Sequence, residues 1–310
     1  MMKTALSVEN LSKVYLRDKK KASNINALNN ITLNVKQGEI FGLLGPNGAG
    51  KTTFLSILGG TVIKTKGKVN VWGFDLDKNP RQVRASIGIV PQEVNLDAFF
   101  SPKKLLDLQA GLYGIKNNEK ITETILNLVS LDKQADSYSR NLSGGMKRRL
   151  LIAKAMVHQP PILILDEPTA GVDVELRKNL WENVKELNKI GVTIILTTHY
   201  LSEAQEMCDR IAIVNKGNLV ALDTTKKLLD RIKTKKIIFK LQEFDSNLTL
   251  SLPNVKFLIE SNNTISISYE KELINFENLI NYLREKNLKI LDISMDEGDL
   301  EDVFIQLTKN

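Results

Sequence analysis

The sequence is poor in the residues that build cross-links and soft-metal sites, with one cysteine and two histidines among 310 residues. Cys208 alone cannot form an intrachain disulfide, and no Cys and His spacing typical of zinc sites is present, which favours a reducing compartment. No run approaches the roughly 18 to 20 apolar residues that cross a bilayer, and residues 1–15 do not form a signal-peptide core. We therefore expect a cytosolic chain, or one that reaches a membrane only through a partner.

The rest of the composition is that of an ordinary folded protein. Hydrophobic residues make up 42% and charged residues 25% of the chain, which excludes disordered, collagen-like and disulfide-stapled classes. The formal charge is +9 over residues 1–230 and −2 over residues 231–310. A basic first part suits an anionic ligand such as nucleotide, nucleic acid or acidic lipid, although a solvated basic surface has the same composition.

The hydrophobic pattern predicts an α/β domain in the first part of the chain. The polar stretch 16–26 is predicted as a hairpin loop. Short β-rich runs are predicted as strands: 5–11, 31–35, 39–44 and 68–71. Helical spacing follows, with Ser101 as N-cap, Pro102 at the first helical position, and Leu105, Leu106 and Leu112 on one face. The continuous apolar runs 162–165 and 193–196, separated by a helix at 175–189, indicate a parallel sheet.

After residue 230 the pattern becomes that of a half-buried antiparallel sheet. Alternating apolar residues predict strands at 248–252 and 265–269, followed by a helix at 272–285, a strand at 289–295 and a last helix from Leu300. We therefore predict two domains, 1–230 and 231–310, the second a small α+β appendage. The helical part of the first domain is expected at about 93–160.

A complete phosphate-binding loop follows the predicted strand 39–44. The pattern G-x-x-x-x-G-K-[ST] is matched by consecutive residues at the start of a predicted helix: Gly45, Pro46, Asn47, Gly48, Ala49, Gly50, Lys51 and Thr52. The glycines let backbone N–H groups turn towards a phosphate, and the helix N-terminus adds partial positive charge. Lys51 is expected to reach the β and γ oxygens, and Thr52 to ligate Mg²⁺.

Two carboxylates follow the apolar strand 162–165, at the sheet edge where open α/β sheets bind ligands. Asp166 is predicted to hold Mg²⁺, and Glu167 to polarise an attacking water as a general base. Ser143, Gly144 and Gly145 precede another predicted helix, at 147–157, and form a second anion-binding helix end. Taken alone, the first pair also suits a helix cap, and the second group also suits an ordinary N-cap.

Together these segments resemble, in order, the ATP-binding subunit of an ABC transporter over about the first 225 residues. Residues 45–52 resemble its phosphate loop, Gln92 its Q-loop, residues 142–146 its signature, and residues 170–173 its D-loop. The resemblance implies a P-loop NTPase cassette with a mostly parallel core sheet, an N-terminal antiparallel β subdomain and a helical subdomain. It also implies ATP and Mg²⁺ as cofactors.

The resemblance assigns roles to further residues. His199 corresponds to the switch histidine, and Tyr15 to the aromatic residue that stacks on adenine, although a core aromatic would look the same. Nucleotide contacts are also implied for Thr53 and Asp173, and Mg²⁺ contact for Gln92. The functional unit would be a head-to-tail homodimer in which ATP lies between one chain's phosphate loop and the other chain's signature. His158 matches no motif and is interpreted as a surface residue.

Among relatives with this cassette, the sequence favours the ATPase subunits of bacterial exporters. Gly45 and Asp166 are 121 residues apart with no heptad run between them, which excludes the coiled-coil DNA-repair class. The tail, ending in the run 299–304, resembles exporter subunits that pair with a separate membrane permease at the inner face of the cell membrane. Phe99 and Phe100 either receive a short permease helix or pack into the helical subdomain. The alternatives are an importer ATPase, or a soluble ATPase acting on ribosomes or nucleic acid, although no nucleic-acid partner is expected.

Overall fold

The computed structural model describes residues 3–16, 24–172, 174–232, 234–242, 250–261, 263–270, 273–296 and 298–308. The chain divides into two compact units, Met1–Thr224 and Thr225–Asn310. Most of the predicted hairpin loop at 16–26 lies outside the described residues, as does Asp173.

The first unit contains two sheets in its described residues. Its strands are β1 (Thr4–Tyr15), β2 (Ile25–Lys36), β3 (Ile40–Leu44), β4 (Lys66–Val71), β5 (Phe74–Asp75), β6 (Ile87–Val90), β7 (Ile162–Asp166), β8 (Thr193–Thr198), β9 (Arg210–Asn215) and β10 (Asn218–Thr224). One sheet has the order β10-β9-β3-β8-β7-β6, in which every pair is parallel except β9 with β10. The other, with the order β2-β1-β4-β5, is antiparallel.

Helices cover the parallel sheet and build a separate helical region. They are α1 (Lys51–Leu58), α2 (Pro80–Ala85), α3 (Pro102–Leu112), α4 (Thr122–Leu128), α5 (Gly144–Met156), α6 (Val174–Lys189) and α7 (Leu201–Met207). All of β3 and β8 is buried, as is β7 up to Asp166, because these central strands are covered on both faces. The predicted parallel sheet is therefore confirmed.

The helical region agrees with most of its prediction. Ser101 caps α3 by accepting a hydrogen bond from the Lys104 N–H at 3.4 Å. Leu105 and Leu106 are buried, whereas Leu112 is exposed, although its position seven residues after Leu105 puts it on the same side of the helix. Leu112 is the last residue of α3, where the chain turns away from the packed face.

The second unit is an α+β sandwich in its described residues. Its elements are α8 (Thr225–Leu229), β11 (Thr234–Leu241), β12 (Val255–Ser261), β13 (Thr264–Glu270), α9 (Phe276–Glu285), β14 (Ile290–Asp296) and α10 (Leu300–Thr308). The strands form an antiparallel sheet with the order β12-β13-β11-β14. Its core lies between the sheet and α9 and includes Ile237, Phe239, Ile267 and Leu283.

The strand predicted at 248–252 is wrong where it can be assessed. Leu248 lies outside the described residues, whereas Leu250 and Leu252 belong to no strand beyond one bridge from Leu252 to Val255. A tight turn through Pro253 and Asn254, whose φ is +60°, separates them from β12. Proline cannot donate to a ladder, so the strand begins only after the turn. None of the helices in the described residues has the length and apolar composition needed to span a bilayer.

Candidate nucleotide-binding site

The loop after β3 has the geometry of a phosphate cradle. Gly48 and Gly50 have φ of +78° and +110°, a conformation that side chains with a Cβ rarely adopt. The Ala49 N–H donates to the Pro46 carbonyl at 3.1 Å, which closes the turn before α1 begins at Lys51. The amino end of α1 therefore faces the space enclosed by the loop, as the sequence predicted.

Two glycines of this loop are required by close backbone approaches. A Cβ on Gly45 would lie 2.2 Å from the Val214 carbonyl oxygen of β9, and one on Gly50 would lie 2.5 Å from that of Ala27. Such distances leave no room for any side chain. The loop is thus fixed between β9 and the antiparallel sheet.

Lys51 is the buried cation of the loop. Its ammonium group donates to the carbonyls of Gly45 at 2.7 Å and Pro46 at 3.2 Å. Burial lowers the pKa of Lys51, while the nearby carboxylates of Glu167 and Asp166 act in the opposite direction. Both acceptors are neutral, so an anionic ligand is a stronger partner for this ammonium than the carbonyls it now contacts.

A cleft of about 1070 Å³ opens in front of the loop and α1. It is large enough for a nucleotide, since ligand pockets commonly measure about 300 to 1,000 Å³. Eleven predicted site residues line it: Tyr15, Asn47, Gly48, Ala49, Gly50, Lys51, Thr52, Thr53, Gln92, Glu167 and His199. Ile25, Asn26, Ala27 and Lys216 also line it and were not predicted.

The far end of the cleft carries a three-residue polar cluster centred on Glu167. The Gln92 amide nitrogen donates to Glu167 Oε2 at 3.1 Å, and His199 Nδ1 lies 3.1 Å from the same oxygen. Glu167 has a φ of +46°, and its N–H is held by the Thr197 carbonyl at 3.0 Å. Strain of this kind is found where a side chain must be aimed at a ligand. The three residues come from separate segments, and the structure brings them together.

The predicted magnesium ligands are all oxygen donors, which suits a hard cation such as Mg²⁺. Thr52 offers a hydroxyl and Gln92 an amide carbonyl, and both line the cleft. Asp166 does not line the cleft and accepts a hydrogen bond from the Thr197 hydroxyl at 2.6 Å. The donor set thus fits Mg²⁺ by its chemistry.

The signature residues lie apart from the cleft. Ser143 caps α5 by accepting a hydrogen bond from the Met146 N–H at 3.3 Å, and the helix begins at Gly144, earlier than predicted. Ser143 and Gly144 are exposed, and none of the three signature residues lines the cleft. Gly145 is buried, and a Cβ there would lie 2.8 Å from the side chain of Leu176. The amino end of α5 is therefore exposed and lies outside this cleft.

Arg148, which no sequence motif singled out, contacts two loops beside the candidate site. It is buried in α5, and its guanidinium donates to the carbonyls of Pro91 and Ala170, each at 3.3 Å. Pro91 precedes Gln92, and Ala170 lies in the predicted D-loop. Burial lowers the pKa of Arg148. A buried arginine among neutral carbonyls joins the signature helix to two loops beside the cleft, which no local spacing reveals.

The interpretation of His158 as a surface residue is wrong. Its ring stacks on Tyr113 with centroids 3.8 Å apart, and its Nε2 lies 3.2 Å from the Ile87 carbonyl oxygen. Burial lowers the pKa of His158, and its Nδ1 is buried without a hydrogen-bond partner. His158 follows directly after α5 and its C-cap, so the packing of α5 beside β6 draws the ring inward.

Comparison with known proteins identifies relatives over most of the chain. A family model described as ABC transporter matches residues 28–170. The linearmycin resistance ATP-binding protein LnrL of Bacillus subtilis (strain 168) is 37% identical over 256 residues, covering 82% of this chain and 78% of the relative. The Nod factor export ATP-binding protein I of Rhizobium sp. (strain N33) is 41% identical over 206 residues, covering 66% of this chain and 67% of the relative.

Solved structures with the same fold are similar over most of the chain. One, described as an ATP-binding subunit of an ABC transporter, has a TM-score of 0.64 at 28% identity and covers 73% of this chain and 92% of its own. Another is a dimeric ATP-binding cassette in a post-hydrolysis state, bound to ADP and Pi. Its TM-score is 0.62 at 26% identity, with coverage of 71% and 98%.

Proposed function

The chain belongs to the ABC transporter family, as an ATP-binding subunit with ATPase activity, and on that basis we propose that it powers export through a separate membrane permease. The observation that carries the direction of transport is the similarity to Nod factor export ATP-binding proteins. The permease would hold the chain at the inner face of the cell membrane. The second unit would act as an accessory or regulatory domain.

We assign the nucleotide contacts from the lining of the cleft. Tyr15 and Ile25, which are partners in the β1–β2 register, face the adenine end, where a base stacks on an aromatic ring. The loop amides, Lys51 and Thr53 hold the phosphates. Thr52, Gln92 and Asp166 would hold Mg²⁺, which neutralises charge on the phosphate oxygens. All of these groups except Asp166 line the one cleft.

Glu167 is the proposed general base. Its carboxylate takes a proton from the water that attacks the γ-phosphorus, and the bond from that phosphorus to the bridging oxygen breaks to leave ADP and phosphate. Gln92 and His199, which both contact Oε2, hold the carboxylate and report whether a γ-phosphate is present. The positive φ of Glu167 supports this role, because the backbone is held in a strained conformation that fixes the side chain.

The active assembly is proposed to be a head-to-tail dimer. The signature of one chain, with its exposed helix end at Ser143 and Gly144, would close over the phosphates in the other chain's cleft. Two observations support this: the signature residues lie outside the cleft of their own chain, and a related cassette is dimeric with ADP and Pi. Asp173 would contribute from the dimer interface.

The permease would dock beside Gln92. Phe99 has an exposed fraction of 71%, large for an aromatic residue, while Phe100 is half-buried and its carbonyl accepts from Ser139 at 2.7 Å. Of the two alternatives for this pair, Phe100 therefore packs into the helical region, and Phe99 is available to an apolar helix of the permease.

The test of hydrolysis is Glu167→Gln, which keeps the shape and removes the base. Steady-state ATPase activity should fall by about 10² to 10⁴, while ATP binding persists and an ATP-dependent dimer accumulates on gel filtration. Glu93→Gln is the matched control, because Glu93 is the exposed neighbour of Gln92 and does not line the cleft. Normal turnover in Glu167→Gln would remove Glu167 from its role.

The test of transport is copurification from detergent-solubilised membranes. A stoichiometric integral membrane protein that stimulates the ATPase, and moves cargo outward in sealed vesicles, is the expected result. Inward transport would identify an importer. Copurification with ribosomes or nucleic acid, without a membrane protein, would contradict the proposal.

A further inference from the structure

The second unit exposes an apolar row along one edge of its sheet. In the described residues, β14 pairs with β11 and forms one end of the strand order. Leu291, Ile293 and Met295 have exposed fractions of 60%, 37% and 53%. The register pairs Ile293 with Phe239 and Met295 with Ile237, so these two side chains lie on the core face of the sheet. Leu291 lies at a register shift, where Leu241 pairs with Ile290. An apolar row on an edge strand is a surface that proteins usually cover.

The backbone of β14 is also available along this edge. The Ile293 N–H donates to the Asp292 carboxylate of its own strand at 2.8 Å. This bond engages the Ile293 N–H with a side chain of its own strand. A second strand along this edge would exchange the local bond for ladder bonds.

We propose that β14 pairs antiparallel with β14 of a second copy of this chain, about a two-fold axis at Ile293. The two sheets would then form one continuous sheet across the dimer. The inference rests on the proposed function, in which ATP already brings two chains together.

Self-complementarity of the strand fixes this register. With the axis at Ile293, Leu291 lies opposite the second chain's Met295, so each of the three apolar side chains meets another of the three. On the other face Asp292 lies opposite Ser294. Moving the axis to Asp292 or Ser294 sets aspartates directly opposite one another, which is unfavourable. The proposed register alone pairs the whole apolar row and avoids directly opposed carboxylates.

The opposite edge of the sheet, β12, is a poorer candidate. Its Leu258 and Ile259 are exposed but point to opposite faces, so they form no row. Its edge also carries Lys256 and Glu260, and Glu260 is already paired with Lys236 of β11 at 3.0 Å. Charged side chains on an edge strand are a common protection against pairing. β14 also carries Asp292 and Asp296, but the proposed register places them opposite Ser294 and Ile290, and not opposite another charge.

The pairing should depend on the cassettes. Three apolar side chains and a few ladder bonds fall short of the roughly 1,000 Å² or more that a stable interface buries. The same contacts become effective when another interface holds the two strands at high local concentration. We therefore expect the strands to pair in the ATP-bound dimer and to separate when it opens.

Cysteine crosslinking tests the register in the full-length chain. The native cysteine, Cys208, is buried, so we expect little crosslinking through it. In Glu167→Gln with Mg-ATP, Ile293→Cys should form an intermolecular disulfide under mild oxidation, about tenfold or more faster than Ser294→Cys, because directly opposite positions are closer than diagonal ones. Differently tagged Asp292→Cys and Ser294→Cys chains should crosslink with each other when mixed. Leu258→Cys is the control on the other edge.

The outcomes separate this inference from the proposed function. If gel filtration shows the ATP-dependent dimer but Ile293→Cys does not crosslink, or Leu258→Cys crosslinks in its place, the strand pairing is wrong and the cassette dimer stands. If Asp292→Cys alone crosslinks as fast as the mixture, the register is wrong. If no ATP-dependent dimer forms, both proposals fail.

Discussion

Replacing Lys51 with methionine separates nucleotide binding from folding. Methionine keeps an unbranched stem in the buried site and removes the ammonium that now donates to the carbonyls of Gly45 and Pro46. Without nucleotide, the change removes a charge whose burial is costly, and it also removes two hydrogen bonds to carbonyl acceptors, so the two effects have opposite signs. We expect the free energy of unfolding to change by about 1 kcal/mol or less, which corresponds to roughly 2 to 4 °C in Tm.

With nucleotide the same change is costly. Removing one partner of a buried charge pair weakens a complex by about 2 to 5 kcal/mol. That loss is roughly 30-fold to several-thousand-fold in Kd, since about 1.4 kcal/mol equals a factor of ten. The effect should be seen with ATP and with ADP, because Lys51 is placed to meet both the β and γ groups.

Thermal unfolding with a non-hydrolysable ATP analogue measures both effects. At a concentration of about 100 times the wild-type Kd, the analogue stabilises the wild type by about 2.7 kcal/mol, which raises Tm by roughly 5 to 10 °C. Lys51→Met should keep at most about one third of this rise, the share left by a 30-fold loss of affinity. Lys216→Met is the control, because it removes an exposed cation from the same cleft outside the loop. Affinity within about threefold of wild type in Lys51→Met, or unfolding of the free variant, would refute the reasoning.

Three further predictions follow from contacts that the structure adds. Lys51→Ala and Gly144→Asp should each abolish ATPase activity. Mixing the two variants should restore up to about one quarter of the wild-type activity, because half of the randomly formed dimers are mixed and each mixed dimer has one intact site of two. No recovery in a demonstrated heterodimer would count against head-to-tail assembly. Arg148→Met should lower ATPase activity with little change in ATP affinity, whereas Arg149→Met, which breaks bonds only to the carbonyls of residues 129 and 130, should lower stability alone. Because burial lowers the pKa of His158, the unfolded state takes up a proton on this residue before the folded state does, as pH falls below about 6.5. The free energy of unfolding should therefore decline below that pH in the wild type, and less steeply in His158→Asn. Equal slopes of Tm against pH in the two proteins would contradict this.

The sequence by itself determined the elements whose cause is local. A phosphate loop is eight consecutive residues, and its glycines, lysine and helix start define its geometry without distant contacts. The buried strands β3, β7 and β8 were also readable, because only strands covered on both faces keep continuous apolar runs. The strand boundary near Pro253 could not be predicted from the sequence. The apolar alternation before Pro253 indicates a strand, but the tight turn at Pro253 and Asn254 delays the strand until after the turn. The order of motifs predicted the family, which the relatives then showed.

Only the tertiary structure decided which separated segments meet. Gln92 and Glu167 are 75 residues apart, and Arg148 reaches the carbonyls of Pro91 and Ala170, 57 and 22 residues away. His158 is drawn against Tyr113, and the apolar row of β14 is left at an edge because the strand order ends there. Periodicity predicts which face of an element is apolar. Which neighbour covers that face, and whether any does, depends on the packing of the whole chain.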